Sequence, residues 1–507
     1  NEAHLLVVNH ALLLSDVVVG NRVMPAYEYL VVDEAHHLEE AITRSLEEQA
    51  DRFSIARRLN DIGGTESGLL GDVLRSVHSA IPRKHFNKLA EYVKLIEETS
   101  DAMTRYVRAY FADLMQVLED QSEGYVDYST EIRVTPQVRG RREWAQVSNR
   151  WGKLSGFTET LALAMSKLYT GLVTLSPYHD EIEDHEVLFA SLQAAADYFQ
   201  GLHSFLHAFT VEPQSNTIYW AELFRKTEYD HIVLHAAPLH VGILMSDYLW
   251  EQKRSITLAS ATLRTNNTFE YIDDRLNAYD AEHVLVASPF DYASSTLVYL
   301  PNDIPEPKQR AEYQPALEEA IIKVGTVTQG RMLVLFTSRA HLLQTAQAVT
   351  PALAQAGVVV YDQASGSSRQ NLLDNFKQSD KAILMGTRSF WEGVDIPGDD
   401  LSVVFITKLP FAVPSDPVFA ARAETYGDQS FMEYNMPDAI LRFRQGFGRL
   451  IRRATDRGVV VIFDKRVISK RYGKLFVDSL PDVTLQRGSV NHLPHATQQW
   501  LDDGGEA

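Results

Sequence analysis

Cysteine is absent from the 507 residues. That excludes disulfides, thiolate zinc centres and any iron–sulfur cluster built within this stretch of chain, and it fits a reducing compartment. Long apolar runs are missing too. No segment approaches the ~18–20 uninterrupted apolar residues that a membrane span requires, and the first residues lack the charged-then-apolar pattern of a secretory signal. The expectation is a soluble, cytoplasmic chain with no membrane partner. Positive charge is in short supply, 48 Lys and Arg against 67 Asp and Glu, a net −19. This argues against a general basic coat for polyanions but leaves room for a local basic groove. Such a reversal occurs from Pro437 to Lys474, where eleven Lys and Arg face three Asp and no Glu, a local +8.

What is present is enough for several cores. At 45% hydrophobic residues and with the usual ~100–200 residues per domain, three or four units are expected. The chain opens on Asn1 rather than Met and is already apolar by Leu5, in "LLVVNHALLL", which reads as a piece of a longer protein. "YLVV", Tyr29 to Val32, is a short β-branched run of the kind found in buried parallel strands, and "EEAITRSL" behind it is helical in composition. The acidic residues between them fall at the strand's carboxyl end, where open α/β sheets bind ligands. "ITLASATL", "RMLVLFTSRAHLLQTAQAV", "VVVYDQ", "AILMGT", "LSVVFITKL" and "GVVVIFDKR" continue a βα series downstream. Between Asp51 and about Tyr229 the texture is amphipathic helix with little strand signal. The α/β pattern resumes near "HIVLHAAPLHVGILMSDYLW", and the Pro-rich "YLPNDIPEPKQ" marks a step into a second α/β domain. The domains expected are 1–50 and 230–290 as parts of a first α/β unit, 51–229 as a helical insertion, 291–495 as a second α/β unit and 496–507 as a tail.

Three constellations carry chemistry. In "VVDEAHHL", an Asp directly after a hydrophobic strand (Asp33) can hold Mg²⁺ through water, and the adjacent Glu34 can orient or deprotonate an attacking water. The plainer alternative is a helix start enriched in acids for dipole reasons, which also accounts for Glu39 and Glu40 as solvated side chains. In "RQGFGRLIRR", residues Gln445, Gly448, Arg449 and Arg452 form Q-x-x-G-R-x-x-R. Placed on a helix, the two arginines share a face and can clamp one anionic group; the alternative is a solvated basic face. In "GTRSFWEGVDIPG", Thr387 and Ser389 are placed to touch a nucleic-acid backbone, while Glu392, Gly393 and Asp395 sit where a turn can face a nucleotide. "SAT", Ser260 to Thr262, is the weakest signal alone. The histidines 4, 10, 36 and 37 show no i, i+4 pair with a nearby third ligand, so a zinc site is set aside.

The strings "VVDEAHHL", "SATL", "LVLFTS", "GTRSFWEGVDIPG" and "QGFGRLIRR" resemble, in that order, motifs II to VI of superfamily-two helicases. "VVNHALLL", "SPFDY" and "KLPFAVPSDP" bring the resemblance closer to the XPD/DinG-like branch. It covers nearly the whole chain and implies an α/β fold: two RecA-like parallel-sheet motor domains, with an all-helical Arch-like insertion in the first. It implies an ATP-dependent DNA helicase acting in repair or replication, with ATP and Mg²⁺ used at Asp33. Glu34 would act on the hydrolytic water, and His36 would link nucleotide state to the other motor domain. Gln445, Gly448, Arg449 and Arg452 would reach the triphosphate, with Arg452 as the main finger. Gly393 and Asp395 would face nucleotide, and Ser260 and Thr262 would support coupling. Single-stranded or forked DNA would run past Asn9, His10, Thr337, Ser338, Arg339, Thr387 and Ser389 with 5′→3′ polarity, on a monomer. "RVTPQVRGRREWAQVSNRWGK", Arg133 to Lys153, offers arginines with Trp144 and Trp151 as a second strand-binding surface, or else core tryptophans with solvated arginines.

One departure is large. No G-x-x-x-x-G-K-(S/T) occurs in the 507 residues, so the amides and lysine that cradle ATP phosphates are missing and these residues alone are expected to be inactive. In relatives of this branch that element, together with iron–sulfur cysteines or an exonuclease domain, lies upstream of motif II. The rival readings are therefore a nuclease-associated protein and a nucleic-acid-binding protein without motor activity.

Overall fold

The computed structural model describes residues 3–18, 20–119, 129–174, 185–224, 231–265, 267–392, 396 and 398–503. Among them the strands run, in chain order, β1 Tyr29–Val32, β2 Glu48–Asp51, β3 Ser129–Arg133, β4 Thr217–Phe224, β5 His231–Pro238, β6 Ser255–Leu258, β7 Thr296–Pro301, β8 Met332–Leu335, β9 Val359–Asp362, β10 Ala382–Gly386, β11 Val403–Ile406, β12 Gly458–Ile462 and β13 Thr484–Gly488. The chain divides into two compact units: one of Asn1–Ala26, Glu39–Val241 and Pro414–Arg422, the other of Tyr27–Leu38, Gly242–Val413 and Ala423–Ala507.

The first unit is mostly helical. Arg83–Glu119, Trp144–Val173 and His185–Thr210 are its long helices, and their apolar stripes close on a core containing Tyr110, Phe111, Trp144, Trp151, Phe199 and Phe209. Both tryptophans of the Arg133–Lys153 stretch are therefore core residues, each only 2% exposed. Trp144 Nε1 donates to the Thr210 carbonyl at 3.0 Å and Trp151 Nε1 to His207 Nδ1 at 3.3 Å. Arg150 is paired with Asp113 at 2.8 Å, and Arg139 donates to the carbonyls of Phe209 and Val134. Of the two readings of this stretch, the core reading is the one the packing supports.

The helices are accompanied by a four-stranded antiparallel sheet, ordered β2-β5-β4-β3, which the helical texture of 51–229 did not suggest. "HIVLHAAP", read as the return of the parallel pattern, is a central strand of this sheet instead. A short apolar run is equally suited to either kind of sheet, and here its partners decide. Glu39 also departs from its reading as solvated: Arg422 reaches it at 2.8 Å, with side-chain exposures of 6% and 16%.

The second unit is built on a seven-stranded, all-parallel sheet in the order β13-β7-β12-β11-β8-β10-β9. β7, β8, β10, β11 and β12 are buried along their whole length, as continuous Val/Ile/Leu runs require when helices cover both faces. This is the α/β architecture expected of a RecA-like motor domain. β1 and β6 form a separate parallel pair in the same unit. There Val32 is buried while Tyr29 and Val31 are 62% and 71% exposed, because two strands alone cannot cover both faces.

Candidate active site

The β1–β6 pair positions the acidic turn. Ala259 N donates to the Val32 carbonyl at 2.8 Å and Ala35 N to the Ala259 carbonyl at 3.0 Å, so the two strand ends are stitched beyond the last paired residues. Between them Glu34 takes the left-handed conformation, φ +50° and ψ +43°. A residue with a Cβ adopts it at a cost of roughly 1–2 kcal/mol. Asp33 Oδ1 accepts from Glu34 N at 2.9 Å and steadies the turn. The Glu34 side chain is 59% exposed, available to a ligand at the strand end.

His36 follows in a short 3₁₀ turn, Ala35–His37. Its Nδ1 lies 2.7 Å from Ser260 Oγ and 3.4 Å from Glu34 Oε2. Ser260 Oγ in turn accepts from Thr262 N at 3.1 Å. The acidic turn and the small-residue string are thus one network across 224 residues of sequence. Thr262 Oγ1 is buried without a hydrogen-bond partner.

The basic string reaches the same surroundings by a different local structure from the one expected. The helix Met436–Phe447 carries Gln445 and ends at Gly448, whose N–H closes on the Arg444 carbonyl at 2.9 Å. Arg449 and Arg452 therefore lie beyond the helix and do not share a helical face. Two glycines within three residues weaken the helix here. Gly446 has its own reason: a Cβ there would come 2.7 Å from the Trp391 ring. Arg449 Nε donates to the carbonyls of Trp391 and Gln445 at 3.0 and 3.2 Å. Burial, then the charge of Arg452, pushes the Arg449 guanidinium down to about 10, against the opposing pull of Glu34 and Glu392. Glu34 and Arg449, 415 positions apart in sequence, are electrostatic neighbours. Arg452 N and Arg453 N both donate to Asp456 Oδ2, at 2.7 and 2.8 Å. Gln445 is 6% exposed and its Oε1 has no partner.

The motif at 386–398 brings Glu392 close: its Oε2 is 3.6 Å from His37 Nε2, and its carbonyl accepts from Arg369 Nη2 at 2.9 Å. Gly393 and Asp395 lie outside the described residues. Thr387 N and Oγ1 both donate to Gln363 Oε1 at 2.8 Å, and Gln363 Nε2 donates to Ser389 Oγ at 3.0 Å. Ser338 caps the helix Arg339–Gln355, accepting from His341 N, with Thr337 just before it. Asn9 and His10 belong to the other compact unit, where Asn9 Oδ1 accepts from Leu12 N at 2.9 Å.

Residues 321–483 match the helicase C-terminal domain family. The chain is 29% identical over 506 residues to the 3′-5′ exonuclease DinG of Bacillus subtilis, covering 96% of the chain and 52% of that protein. It is 29% identical over 510 residues to the ATP-dependent DNA helicase DinG of Photobacterium profundum, covering 95% and 68%, and 28% identical over 489 residues to the ATP-dependent DNA helicase YoaA of Escherichia coli, covering 95% and 67%. Along nearly its whole length the chain is similar to DinG-type helicases. It spans about half the length of the Bacillus relative and about two thirds of the other two.

The network brings a carboxylate and a partly buried guanidinium charge into one locality, a combination suited to an anionic ligand. Among the described residues no group of three or more His, Asp or Glu is placed to hold a metal by itself. Asp33 fits Mg²⁺ as a lone carboxylate, the ligand count that ion accepts when phosphates and waters complete its shell. Three participants were not singled out from the sequence. Arg444 donates to the carbonyls of Arg264 and Ala261 at 2.7 and 3.4 Å, tying the basic helix to the loop after "SAT". Trp391 holds Arg449 through its carbonyl, and Gln363 holds Thr387 and Ser389. Arg444 stands at the start of the basic string and Trp391 inside its own motif, so position was the available signal; Gln363, at the end of "VVVYDQ", had none.

Proposed function

We propose that the intact protein is an ATP-dependent DNA helicase of DinG type, coupling ATP hydrolysis to 5′→3′ translocation on single-stranded DNA in the cytoplasm. The observation that carries this reading is that Glu34 and Arg449 lie within each other's field, with His36 beside Glu34 and bonded to Ser260: a carboxylate able to activate water and a guanidinium able to clamp phosphate share one locality. Glu34 would orient the attacking water. Arg449 and Arg452 would neutralise the charge that gathers on the transferred phosphoryl group, and the unpartnered Gln445 Oε1 would bind in the same space. Asp33 would hold Mg²⁺, which supplies charge neutralisation of the phosphates when bound. Ser260 and Thr262 would pass the nucleotide state on through His36, and Gly393 and Asp395 would complete the nucleotide side. Asn9, His10, Thr337, Ser338, Arg339, Thr387 and Ser389 would follow the sugar–phosphate backbone without reading bases. Residues 1–50 with 230–290 would be parts of the first motor domain, 51–229 the Arch-like insertion and 291–495 the second motor domain.

Because no phosphate-cradling G-x-x-x-x-G-K-(S/T) occurs in these residues, the reading includes negligible ATP turnover by residues 1–507 alone. The deciding experiment is Glu34→Gln in the intact protein. Turnover should fall by roughly 10²–10⁴-fold while single-strand affinity is retained. Unchanged turnover would remove Glu34 from the chemistry, and DNA-stimulated turnover by residues 1–507 alone would remove the second half of the proposal.

A further inference from the structure

Away from the Glu34–Arg449 site, the seven-stranded sheet has a crevice with a chemistry of its own. From β8 the chain crosses through the helix Arg339–Gln355 to β9, beyond β10; from β10 it returns to β11, on the opposite side of β8. The connections leave the adjacent carboxyl ends of β8 and β11 in opposite directions, which opens a crevice of the kind that takes ligands in open α/β sheets. Here it is a cavity of about 380 Å³. Ser338, shortly after β8, and Lys408, shortly after β11, both line it.

The lining is cationic. Arg310 and Lys408 both face the cavity, and among the described residues no carboxylate lines it. Asp464, the acid that acts on Lys408, is already committed: its carboxylate accepts from Arg466 at 2.6 to 3.1 Å and from Leu409 N at 2.9 Å. His341, also in the wall, has both ring nitrogens buried without a hydrogen-bond partner. Burial first, and then the charges of Lys408 and Arg310, pushes it down to about 4. The helices Arg310–Val327 and Arg339–Gln355 both begin at the cavity, adding the positive ends of two long dipoles. The Tyr313 hydroxyl is committed to the carbonyls of Thr407 and Phe463, so it shapes the wall and leaves recognition to the cations.

We infer that this crevice is an oxyanion site that takes a phosphate group between Arg310 and Lys408, with Ser338 as a hydroxyl donor. The phosphate comes either from a nucleic-acid backbone or from a free phosphate ester. The inference rests on the helicase reading only at Ser338, which that reading also places on a sugar–phosphate backbone, and adds Arg310 and Lys408 to it; phosphate binding is measured without ATP turnover, so either can fail without the other.

The test is calorimetric titration of inorganic phosphate into residues 1–507. The wild-type chain should bind one phosphate saturably. Arg310→Gln and Lys408→Gln should each weaken it about tenfold or more, Lys408→Arg should retain it, and Gln344→Glu, an exposed change on the rim, should weaken it without touching the core. The same variants are then titrated with a fluorescent oligo-dT strand at two salt concentrations. A parallel loss of strand affinity with a smaller salt slope makes a backbone phosphate the occupant; an unchanged strand affinity makes it a free phosphate ester. The absence of saturable phosphate binding in the wild type, or full binding by folded Arg310→Gln, Lys408→Gln and Gln344→Glu, overturns the site.

Discussion

Arg422, in the helical unit, is surrounded by acceptors. Its guanidinium meets Glu39 at 2.8 Å, Thr43 Oγ1 at 2.7 Å and the carbonyls of Leu239 and Pro238 at 2.8 and 3.1 Å. Arg449, in the sheet unit, is partly buried among charges of both signs, with burial and Arg452 opposing its charge and Glu34 and Glu392 supporting it. The first arrangement repays desolvation with hydrogen bonds and ties together segments distant in sequence. The second also donates to carbonyls of the chain, those of Trp391 and Gln445, while burial and Arg452 depress its charged form. A buried arginine met by a carboxylate of the chain is structural, and one whose charge its surroundings depress gains from an added anion.

Removing each side chain should separate the two roles. Arg449→Ala in the intact protein is expected to lower ATP turnover by roughly 10³-fold or more, as loss of a phosphate-clamping arginine does. Its stability should change by no more than about 1 kcal/mol, because the carbonyl hydrogen bonds it gives up are offset by relief of a guanidinium charged at a cost. A denaturant midpoint that collapses together with the activity would break the comparison by making Arg449 structural. Arg422→Met should do the reverse, costing about 3–5 kcal/mol in chemical denaturation of residues 1–507, since it strands Glu39 and several oxygens. The double variant Glu39→Gln, Arg422→Met should recover part of that loss; strict additivity would mean that the pair is not coupled.

The difference between the two arginines also marks what could be read in advance. The acidic turn after "YLVV" and the parallel strands "AILM", "VVFI" and "GVVVI" were legible because each is local: a few residues carry the signal and the burial follows. That Glu34 shares its surroundings with the basic string came only from the resemblance that joined their motifs, and the resemblance put Arg452, not Arg449, foremost. Glu39 was misread as solvated because its partner is hundreds of residues away and no local pattern names it. "HIVLHAAP" looked like a parallel strand because strand propensity contains no information about the direction of its neighbours. The helical placement of Arg449 and Arg452 failed for a readable reason: Gly446 and Gly448 both argue for an end to the helix, and the three-residue spacing was given more weight than they were.

Gly446 supplies the finest test of the arrangement around Arg449. It is buried in the helix Met436–Phe447, and an added Cβ would approach the Trp391 ring to 2.7 Å and a Leu335 methyl to 3.1 Å. Trp391 cannot yield freely, because its Nε1 donates to the buried carbonyl of Phe336 at 3.0 Å. Its own carbonyl is one of the acceptors that orient Arg449. Gly446→Ala should therefore cost about 1–3 kcal/mol of stability through overpacking, despite the gain in helix propensity. Turnover of the intact protein should fall as well, and Trp391 fluorescence should report a displaced ring in the folded variant. A Gly446→Ala protein with raised stability, unshifted emission and full turnover would show that the helix end tolerates a side chain, and that Arg449 is oriented by something other than Trp391.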